Sequence, residues 1–251
     1  MPPKHIRTTD IARELGVHVN TIRLYEEEGF LPPIPRGENG YRLFTSMHLE
    51  QARLTHLAIR WLYLDKPMLV ELVKSAATGD FGTAIELAYK YLVLVRVERT
   101  YAEAAIEFLE RWAAGYVIDT QRQPMNIKQA AAYLNVTVDM LRNWERNGLI
   151  TVPRDPANGY RLYGTNEFGR LRVIRTLVQS GYSLMAIFKM MRQFDAGKKD
   201  NLRDELNLPI ESEIDIYIVA DRWLKSLVEL EERAQAVNKQ LGRMIEMVYK
   251  A

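Results

Sequence analysis

The chain contains no cysteine, so it forms no disulfide, holds no thiolate metal site and carries no cysteine nucleophile. It also has no apolar run close to the roughly 20 residues that a membrane-spanning helix needs. Its first residues lack the apolar segment of a signal peptide. A chain without cysteine is compatible with a reducing compartment. We therefore expect a cytoplasmic protein with no membrane partner.

The net charge is small, but the basic residues are concentrated in one segment. The 251 residues carry 34 Lys and Arg against 32 Asp and Glu, a net charge of +2. Residues 124–199 hold 12 basic and 5 acidic side chains, a net charge of +7. Residues 1–80 are neutral, residues 81–123 carry −1 and residues 200–251 carry −4. A local excess of basic residues indicates an acidic partner such as nucleic acid.

The sequence has no recognisable motif for catalysis or metal binding. It lacks a phosphate-binding loop, a dinucleotide fingerprint, a zinc-protease motif and a serine elbow. The four histidines all lie in the first quarter of the chain, without the spacing of metal ligands. We therefore expect no enzyme, no cofactor and no bound metal.

The strongest feature of the sequence is an internal duplication. Arg23–Glu26 (RLYE) is repeated as Arg142–Glu145 (RNWE), and Asn39–Phe44 (NGYRLF) as Asn158–Tyr163 (NGYRLY), both at an offset of 119 residues. The apolar and glycine positions before Gly29 keep the same offset without a gap. Because repeats at a fixed offset indicate repeated structural units, we expect two copies of one domain.

Each copy predicts a helix-turn-helix. The copies are residues 1–80 (copy one) and 124–199 (copy two), and in each the apolar residues at helical spacing indicate a first helix. A tight turn follows at Gly16 or Asn135, residue types that adopt positive φ readily. A second helix, here called the recognition helix, then begins after a capping residue, Thr137 in copy two.

A hairpin and a further helix pair follow each recognition helix. The helix ends at Gly29 or Gly148, and Pro-rich chain leads to Asn39–Gly40 or Asn158–Gly159. Asn-Gly between apolar and aromatic residues is the strongest short hairpin signal, so a small β-wing is predicted in each copy. The helical stretches predicted after the wings are 46–64 and 67–75 in copy one, and 165–180 and 183–194 in copy two.

Two long helices are predicted outside the copies. Residues 83–114 and 213–249 carry apolar side chains spaced by three and four, as in coiled coils. The expected fold class is mainly α, with two winged helix-turn-helix domains and two long coiled-coil-type helices. The expected domains are a first winged helix-turn-helix domain (1–80), a long helix and linker (81–123), a second winged helix-turn-helix domain (124–199) and a C-terminal long helix (200–251).

Polar side chains at the recognition helices and wings are candidate DNA contacts. The N-terminal residues of a recognition helix reach base edges in the major groove, and wing residues reach phosphates. Tyr25 and Trp144 are expected in the core instead. Arg42 and Arg161 are either solvated hairpin charges or phosphate contacts, and their recurrence favours the second interpretation. The candidates are His18, Asn20, Thr21, Arg23, Tyr41 and Arg42 in copy one, and Lys128, Thr137, Arg142, Asn143, Tyr160 and Arg161 in copy two.

The whole pattern resembles the MerR family of bacterial transcription regulators. The resemblance rests on Ile-Ala-x-x-Leu-Gly-Val-x-x-x-Thr-Ile-Arg-x-Tyr-Glu-x-x-Gly, the Pro-rich bend, Asn-Gly-Tyr-Arg-Leu-Phe and the later helix pair. It covers about residues 5–75 and 125–194. The chain departs from the family in carrying two such domains, and in having Leu24 and Asn143 where an aromatic residue is usual. Neither a cysteine metal loop nor a separate ligand domain is visible.

The resemblance implies a regulator that binds double-stranded DNA at a promoter and distorts it so that RNA polymerase can use it. The protein would then be associated with the nucleoid. An architectural or excisionase-like protein that bends DNA without acting on transcription is the alternative. Fusion of two copies favours an imperfect palindrome as the target, because the copies differ in charge and in recognition-helix residues.

The long helices suggest how the copies are arranged. If 83–114 pairs antiparallel with 213–249, one chain imitates a two-subunit regulator as a pseudo-dimer. A homodimer with four DNA-binding domains is the alternative. Aromatic residues on or beside these helices leave open a small apolar effector, and ordinary helix packing is the competing explanation. They include Tyr89, Tyr91, Trp112 and Tyr217.

Overall fold

The computed structural model describes residues 6–59, 64–116, 123–198, 202–207 and 223–250. Within these ranges the fold is mainly helical, as predicted, and extended pairing is limited to isolated antiparallel bridges. No described helix is long and apolar enough to cross a membrane. The predicted helical residues 60–63 and 213–222, and linker residues 117–122, lie outside the described residues.

The chain divides into two compact units. Unit 1 comprises residues 1–97 and 229–251, and unit 2 comprises residues 98–228. Copy one lies in unit 1, and copy two lies in unit 2. The two long helices, Phe81–Ala113 and Trp223–Tyr249, each contribute residues to both units. The domain boundaries expected from the sequence stay predictions, because the units group the long helices differently.

Copy one forms the helices of a helix-turn-helix and a following helix pair. Its helices are α1 (Thr8–Leu15), α2 (Val19–Glu27), α3 (Ser46–Ile59) and α4 (Lys66–Ala77), and the long helix α5 (Phe81–Ala113) follows. Helix α1 begins where the Asp10 carboxylate accepts a hydrogen bond from the Arg7 N–H, 3.3 Å away. It ends at Gly16, which adopts the predicted positive φ of 63°.

The core of copy one is formed by one face of each helix and by the chain after α2. Ile11, Ile22 and Leu31 are at most 1% exposed, as is Phe44. Tyr25 is also buried, as predicted, whereas Leu15 only packs against the edge of this cluster. Each fully buried side chain of this size contributes about 1.5–3 kcal/mol through the hydrophobic effect. The recognition helix α2 therefore turns its other face to solvent.

Copy two repeats this arrangement with different capping residues. Its helices are α6 (Ile127–Leu134), α7 (Val138–Arg146), α8 (Thr165–Gln179), α9 (Leu184–Asp195) and the short α10 (Leu202–Glu205). Asn126 and Gln129 form a reciprocal capping box at the start of α6. Asn135 ends α6 at a φ of 49°, as predicted. Leu141 and Trp144 of α7 are buried, also as predicted.

The two long helices pack against each other within unit 1. Helix α11 spans Trp223–Tyr249. Arg96 Nε of α5 donates to Glu231 Oε1 at 2.8 Å, and Asn238 Nδ2 donates to the Ala88 carbonyl at 3.4 Å. The contact nearer the N-terminus of α5 is nearer the C-terminus of α11, so these segments run antiparallel. A coiled coil extending beyond unit 1 stays a prediction.

Candidate nucleic-acid interface

Two of the candidate DNA contacts also begin the recognition helices. His18 Nδ1 accepts from the Asn20 N–H at 3.2 Å, at the start of α2. Thr137 Oγ1 accepts from the Met140 N–H at 3.1 Å, at the start of α7. A capping side chain satisfies one of the free N–H groups of the first helical turn. His18 and Thr137 therefore have a structural role, and a contact between them and DNA stays a prediction.

The first turn of each recognition helix exposes a polar pair to solvent. Arg23 Nη1 donates to Asn20 Oδ1 at 3.3 Å in copy one. Arg142 Nη1 donates to Asp139 Oδ1 at 3.1 Å in copy two. All four side chains are exposed. This is the end of a recognition helix that reaches base edges in helix-turn-helix proteins.

The remaining helical candidates differ in their surroundings. Thr21 is half-buried beside the first polar pair. Asn143 is exposed, and its Oδ1 accepts from Asn147 Nδ2 at 2.9 Å within the same helix. Lys128 is exposed at the start of α6, where its N–H donates to the capping Asn126. Lys128 therefore belongs to the first helix of copy two, not to the recognition helix.

The predicted wings form tight turns, but no strand is assigned in the described residues. Each turn is closed by one isolated bridge, Arg36 with Arg42 and Arg154 with Arg161. The tyrosine that follows Asn-Gly is exposed in both, Tyr41 by 74% and Tyr160 by 71%. We call these segments the Tyr-Arg turns.

The Tyr-Arg turn of copy two is one residue longer than that of copy one. In copy one the Gly37 N–H donates to the Tyr41 carbonyl at 2.9 Å. In copy two the Asp155 N–H donates to the Tyr160 carbonyl at 2.8 Å, across one more residue. The copies keep the same offset on either side of this region. The Pro-rich chain before the turn must therefore be one residue shorter in copy two.

An ion pair joins each Tyr-Arg turn to its recognition helix. Arg42 Nε lies 2.5 Å from Glu26 Oε2, and both side chains are 17% exposed. Arg161 Nε lies 2.6 Å from Glu145 Oε2, with exposures of 27% and 19%. The arginines are therefore not solvated hairpin charges. Their contact with phosphate stays a prediction, and the structure gives them a positioning role in addition.

The second oxygen of the glutamate has a different partner in each copy. Glu26 Oε1 accepts from the Ile34 N–H at 3.0 Å. Glu145 Oε1 instead accepts from Arg154 Nη2 at 3.2 Å. Either partner holds the chain before the turn against the recognition helix. In copy one the glutamate thus binds one guanidinium group and a backbone N–H, whereas in copy two it binds two guanidinium groups. Both sets of donors fix the same geometry.

Burial and hydrogen bonding act in opposite directions on Glu26. Burial of the carboxyl group disfavours its ionised form, but hydrogen bonds from the Ile34 N–H and the Arg42 guanidinium favour that form and outweigh burial. The pKa of Glu26 is consequently lowered from its usual value. Glu26 thus stays ionised, and the ion pair stays intact, at neutral pH.

Sequence reasoning missed the two glutamates as functional residues. Glu26 and Glu145 stand at the same offset of 119 as the arginines that they bind. A carboxylate and a guanidinium that recur together in a duplicated motif were a usable signal. The sequence could not show that the folded turn brings each glutamate into contact with the arginine 16 residues later.

The predicted effector aromatics do not share one environment. Tyr89 is exposed, whereas Tyr91 is buried in unit 1, where burial raises its pKa to about 12. Trp112 lies in unit 2, where it lines an open cleft of about 620 Å³ with Phe194, whose ring centroid is 4.4 Å away. Tyr217 lies outside the described residues. A small apolar effector stays a prediction.

No group of three or more possible metal-binding side chains occurs within the described part of the chain. Such side chains are those of histidine, cysteine, aspartate and glutamate. The two copies instead share polar helix ends, ion pairs between turn and helix, and exposed turns.

Two family models match the chain, one in each copy. The "MerR family regulatory protein" model matches residues 7–44, and the "MerR HTH family regulatory protein" model matches residues 125–193. Each match contains the first helix, the recognition helix and the Tyr-Arg turn. No solved structure gives a significant match.

Curated transcriptional regulators are similar to part of the chain. The HTH-type transcriptional regulator CueR of Salmonella typhi is 42% identical over 50 residues, 20% of this chain and 36% of that protein. A probable heavy metal-dependent transcriptional regulator of Haemophilus influenzae is 33% identical over 75 residues, 30% of this chain and 59% of that protein. The HTH-type transcriptional regulator HmrR of Sinorhizobium medicae is 36% identical over 67 residues, 27% of this chain and 46% of that protein.

The chain thus spans between 36% and 59% of the length of these relatives. The family matches fall on both copies, and each coincides with the geometry described above. The resemblance seen in the sequence motifs is therefore confirmed. The chain carries two regions of the MerR family of regulatory proteins.

Proposed function

We propose that the chain is a DNA-binding transcription regulator of the MerR type. The observation that carries the proposal is the repeated geometry of the two recognition helices. Each exposes polar side chains at its N-terminal end, and each is tied by an ion pair to an exposed Tyr-Arg turn. In helix-turn-helix proteins, such helix ends approach base edges while neighbouring polar groups hold the phosphates. The relatives CueR and HmrR are transcriptional regulators, which supports a regulatory role.

We infer that the two copies act as unequal halves of a pseudo-dimer within one chain. Unit 1 combines copy one with the C-terminal part of α11, the helix that follows copy two. Unit 2 combines copy two with the C-terminal part of α5, the helix that follows copy one. A reciprocal exchange of this kind is the arrangement expected of an isologous pair. A homodimer with four DNA-binding domains is the alternative.

The target of such a pseudo-dimer is an imperfect palindrome in double-stranded DNA. Copy two belongs to the segment of net charge +7 and would supply most of the salt-dependent affinity. Copy one is neutral overall and would bind its half-site more weakly. Two anchored copies can distort the base pairs between the half-sites, which would change how RNA polymerase uses the promoter. We expect this activity at the nucleoid, in the cytoplasm.

The exposed tyrosines of the turns test DNA binding without disturbing the core. Duplex DNA is first selected from a random pool with the full chain, and affinity is then measured by fluorescence anisotropy. The Tyr41→Ala, Tyr160→Ala double variant should bind the selected site several-fold more weakly, because each phenol can donate a hydrogen bond to phosphate. Tyr89→Ala is the matched control, since Tyr89 is 59% exposed but lies on α5. Equal affinity of all three proteins would contradict the assignment.

Transcription separates regulation from DNA bending alone. The selected site is placed in a promoter, and transcript yield is measured with purified bacterial RNA polymerase and increasing amounts of the full chain. A change in yield that requires the site supports the proposed function. Bending of the site without any change in yield would favour the architectural or excisionase-like alternative.

A further inference from the structure

The second residue of each recognition helix differs in chemistry between the copies. Asn20 holds this place in α2 and Asp139 holds it in α7. Both side chains are exposed, and the Asp139 side chain is 88% accessible. Each accepts a hydrogen bond from the arginine three residues later, Arg23 or Arg142. The copies therefore present the same pair of positions to a partner, with an amide in one and a carboxylate in the other.

We propose that this position determines the base preference of each half-site, adenine for copy one and cytosine for copy two. The inference rests on the proposed function. An amide donates and accepts, and so matches the N6 amino group and N7 of adenine in the major groove. An ionised carboxylate only accepts, and so matches the N4 amino group of cytosine. The acceptor edges of guanine repel a carboxylate, so guanine is selected against at the Asp139 position.

The paired arginine makes a carboxylate tolerable at this place. An isolated Asp139 facing DNA would be repelled by the phosphates, which would weaken binding of copy two. Arg142 Nη1 lies 3.1 Å from Asp139 Oδ1, so the pair carries no net charge. The corresponding Asn20 and Arg23 pair keeps a net charge of +1. Arg142 also holds the carboxylate in a defined position on the exposed face of α7.

A different role for Asp139 must be separated from base recognition. A carboxylate in the first turn of a helix also interacts favourably with the helix dipole. That interaction would stabilise α7 but would not depend on the bases presented to it. The two roles therefore differ in their effect on the selected sequence. Only base recognition predicts that exchanging the residues between the copies also exchanges the preferred bases.

The test is selection of duplex DNA by four forms of the full chain: unchanged, Asn20→Asp, Asp139→Asn and the double exchange. The unchanged chain should select an imperfect palindrome with adenine at one position and cytosine at the equivalent position of the other half-site. Each single exchange should make the two positions alike, and the double exchange should invert them. The preferred base should be favoured roughly 5- to 150-fold, the range for a well-placed base contact.

Glu27→Gln is the control for charge. Glu27 is an exposed acid of the same helix as Asn20, but it lies in the last turn, away from the reading end. Its replacement removes one negative charge, as Asp139→Asn does, and should change affinity equally for all sequences. Unchanged base preferences in both exchange variants, with altered overall affinity only, would overturn the proposal. Failure of the unchanged chain to select any sequence would instead overturn the proposed function.

Discussion

At the scale of single residues, Glu26 and Glu145 explain why the duplicated Tyr-Arg motif recurs with a glutamate 16 residues before its arginine. The carboxylates face the arginines across the turn, and neither member of each pair is fully exposed. Exposed ion pairs contribute little to stability, but removing one partner of a desolvated pair leaves a charge without compensation. We therefore expect these glutamates to matter for the position of the turn as well as for folding.

Replacement of Glu26 tests this pairing through its pH dependence. Glu26→Gln should lower the free energy of unfolding at neutral pH by about 1–3 kcal/mol, because Arg42 loses its ionised partner. The folded-state pKa of Glu26 is below its ordinary value of 4.5, so its contribution is present above that value and is lost as pH falls through the lowered pKa. The difference between the proteins should therefore shrink under acid. Urea unfolding at a series of pH values measures it.

Glu27→Gln is the matched control for this measurement. Glu27 is exposed and follows Glu26 directly in α2, so its replacement should change stability by less than about 0.5 kcal/mol at any pH. If Glu26→Gln and Glu27→Gln give the same pH profile, the Glu26–Arg42 pair makes no particular contribution.

The sequence allowed prediction of residues whose role is local, and failed for those whose role is tertiary. Asn135 and Thr137 were predicted to end one helix and begin the next, because positive φ and capping depend on neighbouring backbone atoms alone. Arg42 and Arg161 were interpreted as phosphate contacts or solvated charges. Their actual partners lie 16 residues away, and only the folded turn brings them together.

At the scale of elements, the helix pairs could be predicted from the sequence. For the wings, the turns could be predicted but the extent of strand pairing could not. The stretches 67–75 and 183–194 were predicted within a few residues of α4 and α9, because apolar periodicity is a local signal. The structure adds that Asp65 and Ser183 cap these helices. Asn-Gly predicted the turns but not how far pairing would extend on either side. A strand forms only where a neighbouring extended segment pairs with it over several residues. Each turn has a single such bridge.

The contact between α11 and α3 is the element-scale feature to test. Gln240 is 4% exposed, and its Nε2 donates to the Glu50 carbonyl at 3.1 Å and to Glu50 Oε2 at 2.6 Å. Gln240→Leu keeps the side-chain size but removes both hydrogen bonds. It should destabilise the protein by about 1–3 kcal/mol, because half-buried acceptors lose their donor. Thermal unfolding followed by circular dichroism measures the loss.

Gln235→Leu provides the same chemical change on the exposed side of α11. Gln235 makes a hydrogen bond to Glu231 of its own helix and touches no buried acceptor in the described contacts. Its replacement should leave the unfolding midpoint nearly unchanged. Equal losses for both variants would show that helix propensity, and not the contact with α3, determines the result.

At the scale of the whole molecule, the duplication and the charge distribution could be read from the sequence. The packing partners of the long helices could not. Periodicity predicts that 83–114 and 213–249 bury one face, without stating which partner covers it. The antiparallel contacts in unit 1 supply part of that answer. The pairing of copy one with the C-terminal part of α11 is a tertiary property, since it depends on residues more than 100 positions apart.

The pseudo-dimer makes a prediction about mass and stoichiometry. Because both copies and both long helices belong to one chain, the free protein should have the mass of one chain, 29.1 kDa, by light scattering. One chain should bind one selected duplex, and scrambling either half-site should weaken binding without changing this ratio. Copy two carries the basic excess, so scrambling its half-site should leave affinity lower but still strongly dependent on salt, through phosphate contacts that do not read sequence. A free protein of twice the single-chain mass, or two chains on each duplex, would instead support the homodimer with four DNA-binding domains.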